Sequence, residues 1–249
     1  MFQIFIKVKK SYLGILAICL CTTQVSKLSA QVYIEYGDGA YPVDICGCEV
    51  GSTPLNNQFV DPYSMAADPD GNVYYMDLIG IVKIDAVTGN TNLVAVLPPD
   101  FLPICMVYGA DGLIYTSASL NGSVNETLIA VNPITGTYTV LGELPAGFYF
   151  QGDLFFYQGQ LYGLLSDING LSVMMQIPIG NPGGATVVHT FPGLSGLVGG
   201  ISVIYNGVET VFILGYNEAT GESALFQVDM MTGVATVFCP GIALSLIHI

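Results

Sequence analysis

Short runs of apolar residues, many with alternating polar positions, follow one another along this chain and are separated by turn residues. Runs of this length that are rich in Val, Ile, Tyr and Leu predict β-strands. One pattern recurs four times: a turn glycine, an aromatic residue on the strand that follows, a second turn and a closing proline. The glycines of the second turn are Gly89, Gly136, Gly183 and Gly233. Their spacing of 47, 47 and 50 residues is typical of propeller blades or solenoid repeats.

Each copy of the pattern contains four predicted strands, which fits a four-stranded antiparallel blade. The strands cover residues 64–68, 72–77, 81–84 and 92–97 in the first copy, and residues 105–108, 113–117, 127–131 and 138–141 in the second. Proline cannot donate to a sheet ladder, so it is expected to end the fourth strand. The prolines at these places are Pro98, Pro145, Pro192 and Pro240. The sequence predicts an all-β propeller with blades at residues 61–103, 104–150, 151–198 and 199–243.

Two features mark the turns of each repeat. The first turn leads to an aromatic residue on the next strand, and these residues are Tyr74, Tyr115, Tyr162 and Phe212. In three copies an Asp or Asn stands four residues before the second-turn glycine, where its side chain can accept backbone hydrogen bonds. These residues are Asp85, Asn132 and Asp229. Glycine is expected in the turns because the chain takes positive φ there, and a Cβ would clash.

A family resemblance is carried by residues 84–89, which read IDAVTG, and residues 131–136, which read VNPITG. They resemble the D-x-x-T-G blade signature of bacterial extracytoplasmic β-propellers, and the chain is similar in style to exported repeat proteins that use the type IX secretion route. The resemblance implies a propeller scaffold, which serves enzymes, ligand binders and adhesins alike. Relatives with a quinone cofactor usually carry tryptophans in their repeats, and this chain has none.

The first 30 residues predict a secretory signal peptide. Lys7, Lys9 and Lys10 precede an apolar stretch at residues 12–20, and Ala30 completes a small-residue cleavage site. An uncleaved membrane anchor is the alternative, although the apolar run is shorter than the roughly 20 residues that a spanning helix needs. We therefore expect a secreted or cell-surface protein whose mature chain has no membrane span.

Removal of the signal peptide would leave a strongly acidic chain. All 19 acidic residues lie after residue 30, whereas Lys83 is the only basic residue there apart from histidine. The mature net charge would be −18 at neutral pH. Nucleic acids and anionic membranes are recognised through Lys and Arg, so we expect no nucleic-acid partner and regard anionic membrane surfaces as poor candidates. We interpret the charge as a means of keeping an apolar chain soluble, with attraction of divalent cations as the alternative.

One segment offers candidate ligands for a cation. Asp68, Asp70 and Asn72 place oxygen atoms around a glycine turn, and calcium prefers such hard ligands. The same residues also form an ordinary hairpin turn. We interpret them as turn residues, keep a calcium site as the alternative, and expect no other cofactor.

Four cysteines lie outside the signal peptide: Cys46, Cys48, Cys105 and Cys239. In an oxidising compartment they can form two disulfides by three connectivities. The first two lie in the N-terminal segment of the mature chain, residues 31–60. We expect disulfides to tie this segment to the propeller through Cys105 or Cys239.

The sequence provides little for catalysis, and we assign no catalytic residue. His189 is the only histidine before the last six residues, and its place in a predicted strand indicates a structural role. No Gly-x-Ser-x-Gly elbow is present. Phe101, Phe148 and Tyr149 put aromatic rings on two connections between blades, where they could bind a sugar or a peptide. Packing in the wedge between blades is the alternative for these rings.

The last six residues, 244–249, read LSLIHI and resemble the translation of an adapter used in sequencing libraries. On this interpretation the native sequence stops near Ala243 and the four blades belong to a larger ring, since propellers contain about 4 to 8 blades. A complete four-bladed ring is the alternative.

The sequence favours a secreted, non-catalytic binding or cell-surface interaction module, with an extracellular protein or glycan as its ligand. A secreted hydrolase that acts on carbohydrates or esters, with carboxylates on the central face, is one alternative. A calcium-stiffened structural spacer is another.

Overall fold

The computed structural model describes residues 33–36, 39–45, 47–50, 64–76, 79–85, 87–98, 101–119 and 125–241. Within these residues the chain forms nineteen strands and one short 3₁₀ helix, and it contains no helix that is long and apolar enough to cross a membrane. The fold is all-β, as the alternation of apolar and polar positions predicts. The expected signal peptide and the adapter-like residues 244–249 lie outside the described residues.

Five antiparallel sheets follow one another in the described part of the chain. The first has three short strands: β1 (Tyr33–Tyr36), β2 (Gly39–Asp44) and β3 (Glu49–Val50). Blade 1 contains β4 (Met65–Ala67), β5 (Val73–Met76), β6 (Gly80–Ile84) and β7 (Thr91–Val96). Blade 2 contains β8 (Leu102–Tyr108), β9 (Ile114–Ser119), β10 (Glu126–Val131) and β11 (Tyr138–Glu143).

The remaining two blades are built in the same way. Blade 3 contains β12 (Phe148–Tyr157), β13 (Gln160–Asp167), β14 (Ser172–Ile177) and β15 (Thr186–Thr190), with the 3₁₀ helix Pro182–Gly184 before its last strand. Blade 4 contains β16 (Leu194–Tyr205), β17 (Val208–Asn217), β18 (Glu222–Val228) and β19 (Ala235–Pro240). The fourth strand of each blade ends at a predicted proline or two residues before it.

Each blade is a meander in which consecutive strands pair. The first strands of successive blades, β4, β8, β12 and β16, pack against one another in that order, so they are the innermost strands. Apolar side chains fill the space between neighbouring blades, as Met76 and Ile114 do between blades 1 and 2. Full burial of one such side chain contributes about 1.5–3 kcal/mol. Four four-stranded sheets thus form a propeller arrangement, which confirms the predicted fold class.

In blades 1 and 2 the tyrosine after the first turn contacts an aromatic ring of the next blade. Tyr74 of blade 1 stacks on Tyr108 of blade 2, with ring centroids 5.6 Å apart. Tyr115 of blade 2 meets Phe156 of blade 3 edge to face, also at 5.6 Å, and its hydroxyl donates to Asp111 Oδ2 at 2.6 Å. Burial, together with the bonded carboxylate of Asp111, raises the pKa of Tyr115 far above its ordinary value. The tyrosine therefore remains a neutral donor within the blade junction.

The second turn of blade 1 shows why an acidic residue precedes its glycine. Asp85 Oδ1 accepts hydrogen bonds from the backbone N–H groups of Val87 at 3.0 Å and Thr88 at 2.7 Å. Gly89, at φ +69°, donates its N–H to the Asp85 carbonyl at 2.8 Å. The bonds from Thr88 and Val87 hold the pKa of Asp85 below its ordinary value. The corresponding backbone and side-chain bonds form at Asn132 and Asp229.

Blade 3 departs from this pattern at the predicted turn Pro182-Gly183. The residue four positions before Gly183 is Ile179, which offers no side-chain oxygen to cap the turn. Pro182 instead begins the 3₁₀ helix, and the Ala185 N–H donates to its carbonyl at 3.0 Å. Gly183 does not adopt positive φ, so this glycine is not required for the left-handed conformation used in the other three copies.

The second turn of each later blade packs against the outermost strand of the blade before it. That strand carries a one-residue bulge at an equivalent place in every blade: Val94, Leu141, Val188 and Phe238. A Cβ at Gly136 of blade 2 would lie 2.7 Å from the Val94 carbonyl oxygen. A Cβ at Gly233 of blade 4 would lie 2.5 Å from His189 Nδ1. Glycine in these turns therefore permits both positive φ and close approach between blades.

Candidate functional site

A group of buried polar side chains lies where the inner strands of blades 1, 2 and 3 meet. Ser64 precedes β4, Asp153 lies in a bulge of β12, and both residues are 0% exposed. The Ser64 hydroxyl donates to Asp153 Oδ1 at 3.4 Å. This bond joins blades 1 and 3, which are not neighbours in the chain order of the propeller. The bulge places a carboxylate inside a strand that is otherwise mostly apolar.

Blade 2 contributes the rest of the group. Cys105 on β8 and Ser117 on β9 are partners in the strand register, and the Ser117 hydroxyl donates to Glu126 Oε2 at 3.1 Å. Cys105 is 0% exposed and Glu126 is 6% exposed. We call these five residues, Ser64, Cys105, Ser117, Glu126 and Asp153, the inner polar cluster.

Burial controls the ionisation of the cluster. It raises the pKa of the Cys105 thiol well above the ordinary value, and the negative charges of Asp153 and Glu126 raise this pKa further. The thiol is therefore protonated at neutral pH and is a poor nucleophile. Burial also raises the pKa of Glu126, against the opposing effect of the hydrogen bond from Ser117.

The inner polar cluster is suited to fixing the blades and is closed to a substrate. Asp153 and Cys105 have no solvent-exposed surface, so a substrate would have to separate the blades to reach them. Across the described part of the chain, no three His, Cys, Asp or Glu side chains are grouped so as to hold a metal ion. Buried polar groups destabilise a core unless they are hydrogen-bonded, and the two serine hydroxyls supply such bonds.

We expect Glu126→Gln to stabilise the protein at neutral pH by roughly 1 kcal/mol, because the amide keeps the bond from Ser117 without a buried charge. A raised carboxyl pKa means that the folded state holds a proton that the unfolded chain releases first. Wild-type stability should therefore fall as pH rises above the ordinary glutamate value of 4.5, and the variant should lack this loss. Chemical denaturation at several pH values between 4 and 8 measures the difference. Exposed Glu222→Gln is the control, and equal pH profiles for Glu126→Gln and wild type would contradict the prediction.

The candidate cation ligands lie in the turn between β4 and β5. Asp68 Oδ1 accepts from the backbone N–H groups of Asp70 at 3.0 Å and Asn72 at 2.9 Å. Asp68 Oδ2 accepts from Asn72 Nδ2 at 2.8 Å and from the Tyr74 hydroxyl at 3.1 Å. Four donors thus engage one carboxylate, and this geometry supports the interpretation of these residues as a turn.

Of the three candidate aromatic residues, Phe101 precedes β8, whereas Phe148 and Tyr149 lie on strand β12 and not on a connection between blades as the sequence predicted. They also differ in exposure. Phe101 is 5% exposed and packs in the core between blades 1 and 2. Phe148 packs partly against the core between blades 2 and 3. Tyr149 is 42% exposed, so it is the most exposed of the three rings.

The structure joins Cys48 to Cys239 in a disulfide, with Cα atoms 5.6 Å apart and a sequence separation of 191. Cys48 is therefore bonded to Cys239, which is one of the two partners that the sequence allowed for the N-terminal segment. Cys105 is a free, buried thiol, and Cys46 lies outside the described residues. His189 Nε2 lies 3.0 Å from the Met230 carbonyl oxygen, so this histidine bridges blades 3 and 4.

The sequence interpretation missed the two carboxylates of the inner polar cluster. Asp153 is a lone acidic residue within the strongly apolar run at residues 148–157, and that contrast was the available signal. Glu126 stands at the start of a strand whose later residues are all apolar or hydroxyl-bearing. Neither feature shows that the two carboxylates lie close enough to Cys105 to raise its pKa, because the bulge and the packing of the blades decide this.

No family model matches the chain, and no curated protein matches it in sequence. Solved structures do resemble it. TolB from Acinetobacter baumannii has a TM-score of 0.56 at 16% identity, over 84% of this chain and 52% of that one. A nidogen/laminin complex has a TM-score of 0.52 at 15% identity, over 83% and 79% of the two chains. Regucalcin, a calcium-binding protein from Agrobacterium tumefaciens, has a TM-score of 0.51 at 13% identity, over 84% and 73%. At such identities these neighbours show the β-propeller fold alone.

Proposed function

We propose that this chain is a secreted, non-catalytic binding or cell-surface interaction module, with an extracellular protein or glycan as its ligand. The observation that carries the proposal is a repeated surface feature. Val87, Ile134 and Met231 each stand two residues after the Asp or Asn of a second turn, and they are 93%, 91% and 93% exposed. We call them the turn-tip residues.

The fold explains the backbone at these positions and leaves the side chains unexplained. The N–H groups of the turn-tip residues donate to the preceding Asp or Asn oxygen at 2.8 to 3.0 Å. Any residue with a free N–H can form this bond, and a polar one would be more soluble. We take the repetition of a large apolar side chain at this exposed turn position as the sign of a surface that contacts a partner. The expected export route and the acidic character agree with a role outside the cell.

The inner polar cluster argues against the hydrolase alternative. Its two carboxylates are the buried acids of the described propeller, and Asp153, on an innermost strand, is sealed from solvent. General acid–base chemistry requires a carboxyl group within hydrogen-bond reach of the substrate. The geometry therefore supports binding through exposed turns rather than reaction at the centre.

The test measures binding of the purified protein to an array of extracellular polysaccharides and to immobilised surface proteins of the source cells. We expect the triple variant Val87→Ser/Ile134→Ser/Met231→Ser to bind at least about tenfold more weakly, a loss of about 1.4 kcal/mol shared by three contacts. The control is Ile168→Ser/Ile204→Ser, since these residues are 76% and 71% exposed on other hairpins. Equal binding by the two variants would show that the turn-tip residues do not contact the ligand. Hydrolysis of a ligand would favour the enzyme alternative, and calcium-dependent thermal stability would favour the spacer.

A further inference from the structure

The three-stranded sheet β1–β3 contains a fifth copy of the second turn. Strands β2 and β3 form a hairpin in which Asp44 is opposite Glu49, and Cys48 has φ +54°. Cys48 stands four residues after Asp44, where blades 1, 2 and 4 have glycine at positive φ. A Cβ at Gly47 would lie 2.9 Å from Asp44 Oδ2, so this carboxylate folds over the turn. The sequence pattern hides this copy because cysteine replaces the glycine.

The place of this turn in the chain fits a repeat unit. Asp44 precedes Asp85 by 41 residues, close to the 47 residues between Asp85 and Asn132. In blades 1, 2 and 4 the second turn joins the third and fourth strands. By the same correspondence β2 and β3 are the third and fourth strands of a blade that precedes blade 1 in sequence, and β1 is its second strand.

The disulfide between the N-terminal sheet and blade 4 corresponds in position to a contact between blades 3 and 4. His189 follows the bulge of β15, and it lies against Gly233 in the second turn of blade 4. Cys239 follows the bulge of β19 in the same register, and it is bonded to Cys48. Cys239 therefore corresponds to His189, and Cys48 corresponds to Gly233.

A neighbouring apolar contact repeats in the same way. Met230 follows Asp229 and packs against the core between blades 3 and 4. Ile45 follows Asp44, is 8% exposed, and packs with Phe212 and Leu225 on the face of blade 4 that is turned away from blade 3. The disulfide and the apolar contact of Ile45 therefore each correspond to a contact found at the junction of blades 3 and 4.

From these matches we infer that β1–β3 is a fifth blade that docks on the outward face of blade 4, so that the N-terminal part of the chain follows the last described blade in space. The neighbouring complete blades are joined by a short connection of the chain, whereas this junction brings together segments far apart in sequence. A disulfide at this junction supplies the covalent link that chain connectivity provides elsewhere. The protein's own N-terminal sheet therefore covers the outward face of blade 4.

The first test replaces the disulfide by the contact found between blades 3 and 4. We expect the double variant Cys48→Gly/Cys239→His to keep the N-terminal sheet docked, because glycine suits the positive φ and histidine can lie against it. Hydrogen exchange at amides 44–49 should stay within about threefold of the wild-type rate. If the disulfide merely tethers an independent sheet, exchange there should rise by about 100-fold or more, since a small isolated sheet is marginally stable. That result would overturn the inference.

The second test leaves the disulfide intact and disrupts the apolar contact. Ile45→Asp should raise hydrogen exchange at the Phe212 and Leu225 amides by about tenfold or more, because a charge cannot remain in this contact without cost. Ile168→Asp is the control, since Ile168 is 76% exposed. If Ile45→Asp leaves exchange in blade 4 as unchanged as the control does, the sheet is not docked through this face and the inference is wrong.

Discussion

Replacement of both Cys48 and Cys239 by serine is expected to lower the free energy of unfolding by about 5 kcal/mol, the largest effect that the structure predicts for a local change. The disulfide spans 191 residues, and a loop of that length removes much conformational entropy from the unfolded chain. Guanidinium unfolding followed by circular dichroism measures the change.

The wild-type protein in reductant serves as the matched comparison for this variant. It should unfold at the same denaturant concentration as the double variant, whereas reductant should leave the variant itself unchanged. Cys105 is a free thiol in both proteins, so it does not contribute to the difference. A variant as stable as the oxidised wild type would show that the crosslink constrains the unfolded chain little.

Alanine at Gly136 should destabilise the protein by about 3 kcal/mol, whereas alanine at Gly89 should cost only about 1 kcal/mol. Both glycines have positive φ, +72° and +69°, so both variants bear the left-handed penalty of about 1–2 kcal/mol. The added Cβ at Gly136 would also lie 2.7 Å from the Val94 carbonyl oxygen, and overpacking of this kind adds about 1–3 kcal/mol. At Gly89 no described atom lies within 4 Å of the Cβ position.

Thermal and chemical denaturation of the two alanine variants gives the comparison directly. The two substitutions have the same chemistry and the same backbone region, so their difference isolates the contact between a turn and the preceding blade. Equal losses of stability would mean that the blades move apart readily at this point.

Most of the propeller could be predicted because its rules are local. Strand alternation, turn glycines such as Gly89 and closing prolines such as Pro98 depend on residues close in sequence. The same local rules explain the turn in blade 3, where Ile179 stands in place of the Asp or Asn and a 3₁₀ helix forms. The sequence interpretation found the Asp or Asn in three copies only, but it still expected the same glycine turn in blade 3.

The inner polar cluster and the N-terminal sheet could not be predicted in the same way. Asp153 reaches Ser64 across 89 residues through a bulge, and a bulge has no firm sequence signature. The fifth turn was missed because Cys48 occupies the glycine position and drew attention to disulfide pairing instead. In both cases the decisive information is which strands meet in space, and alternation within one strand does not contain it.

The presence of Asn132 where other blades have Asp85 or Asp229 has a consequence for how such a protein can adapt. The turn needs an oxygen that accepts two backbone bonds, and an amide provides it as well as a carboxylate does. The charge of the residue at this turn position is therefore independent of the fold. Single Asp-to-Asn exchanges in these turns can change the electrostatic potential of the surface, to suit a different salt concentration or binding partner. The strand register stays the same.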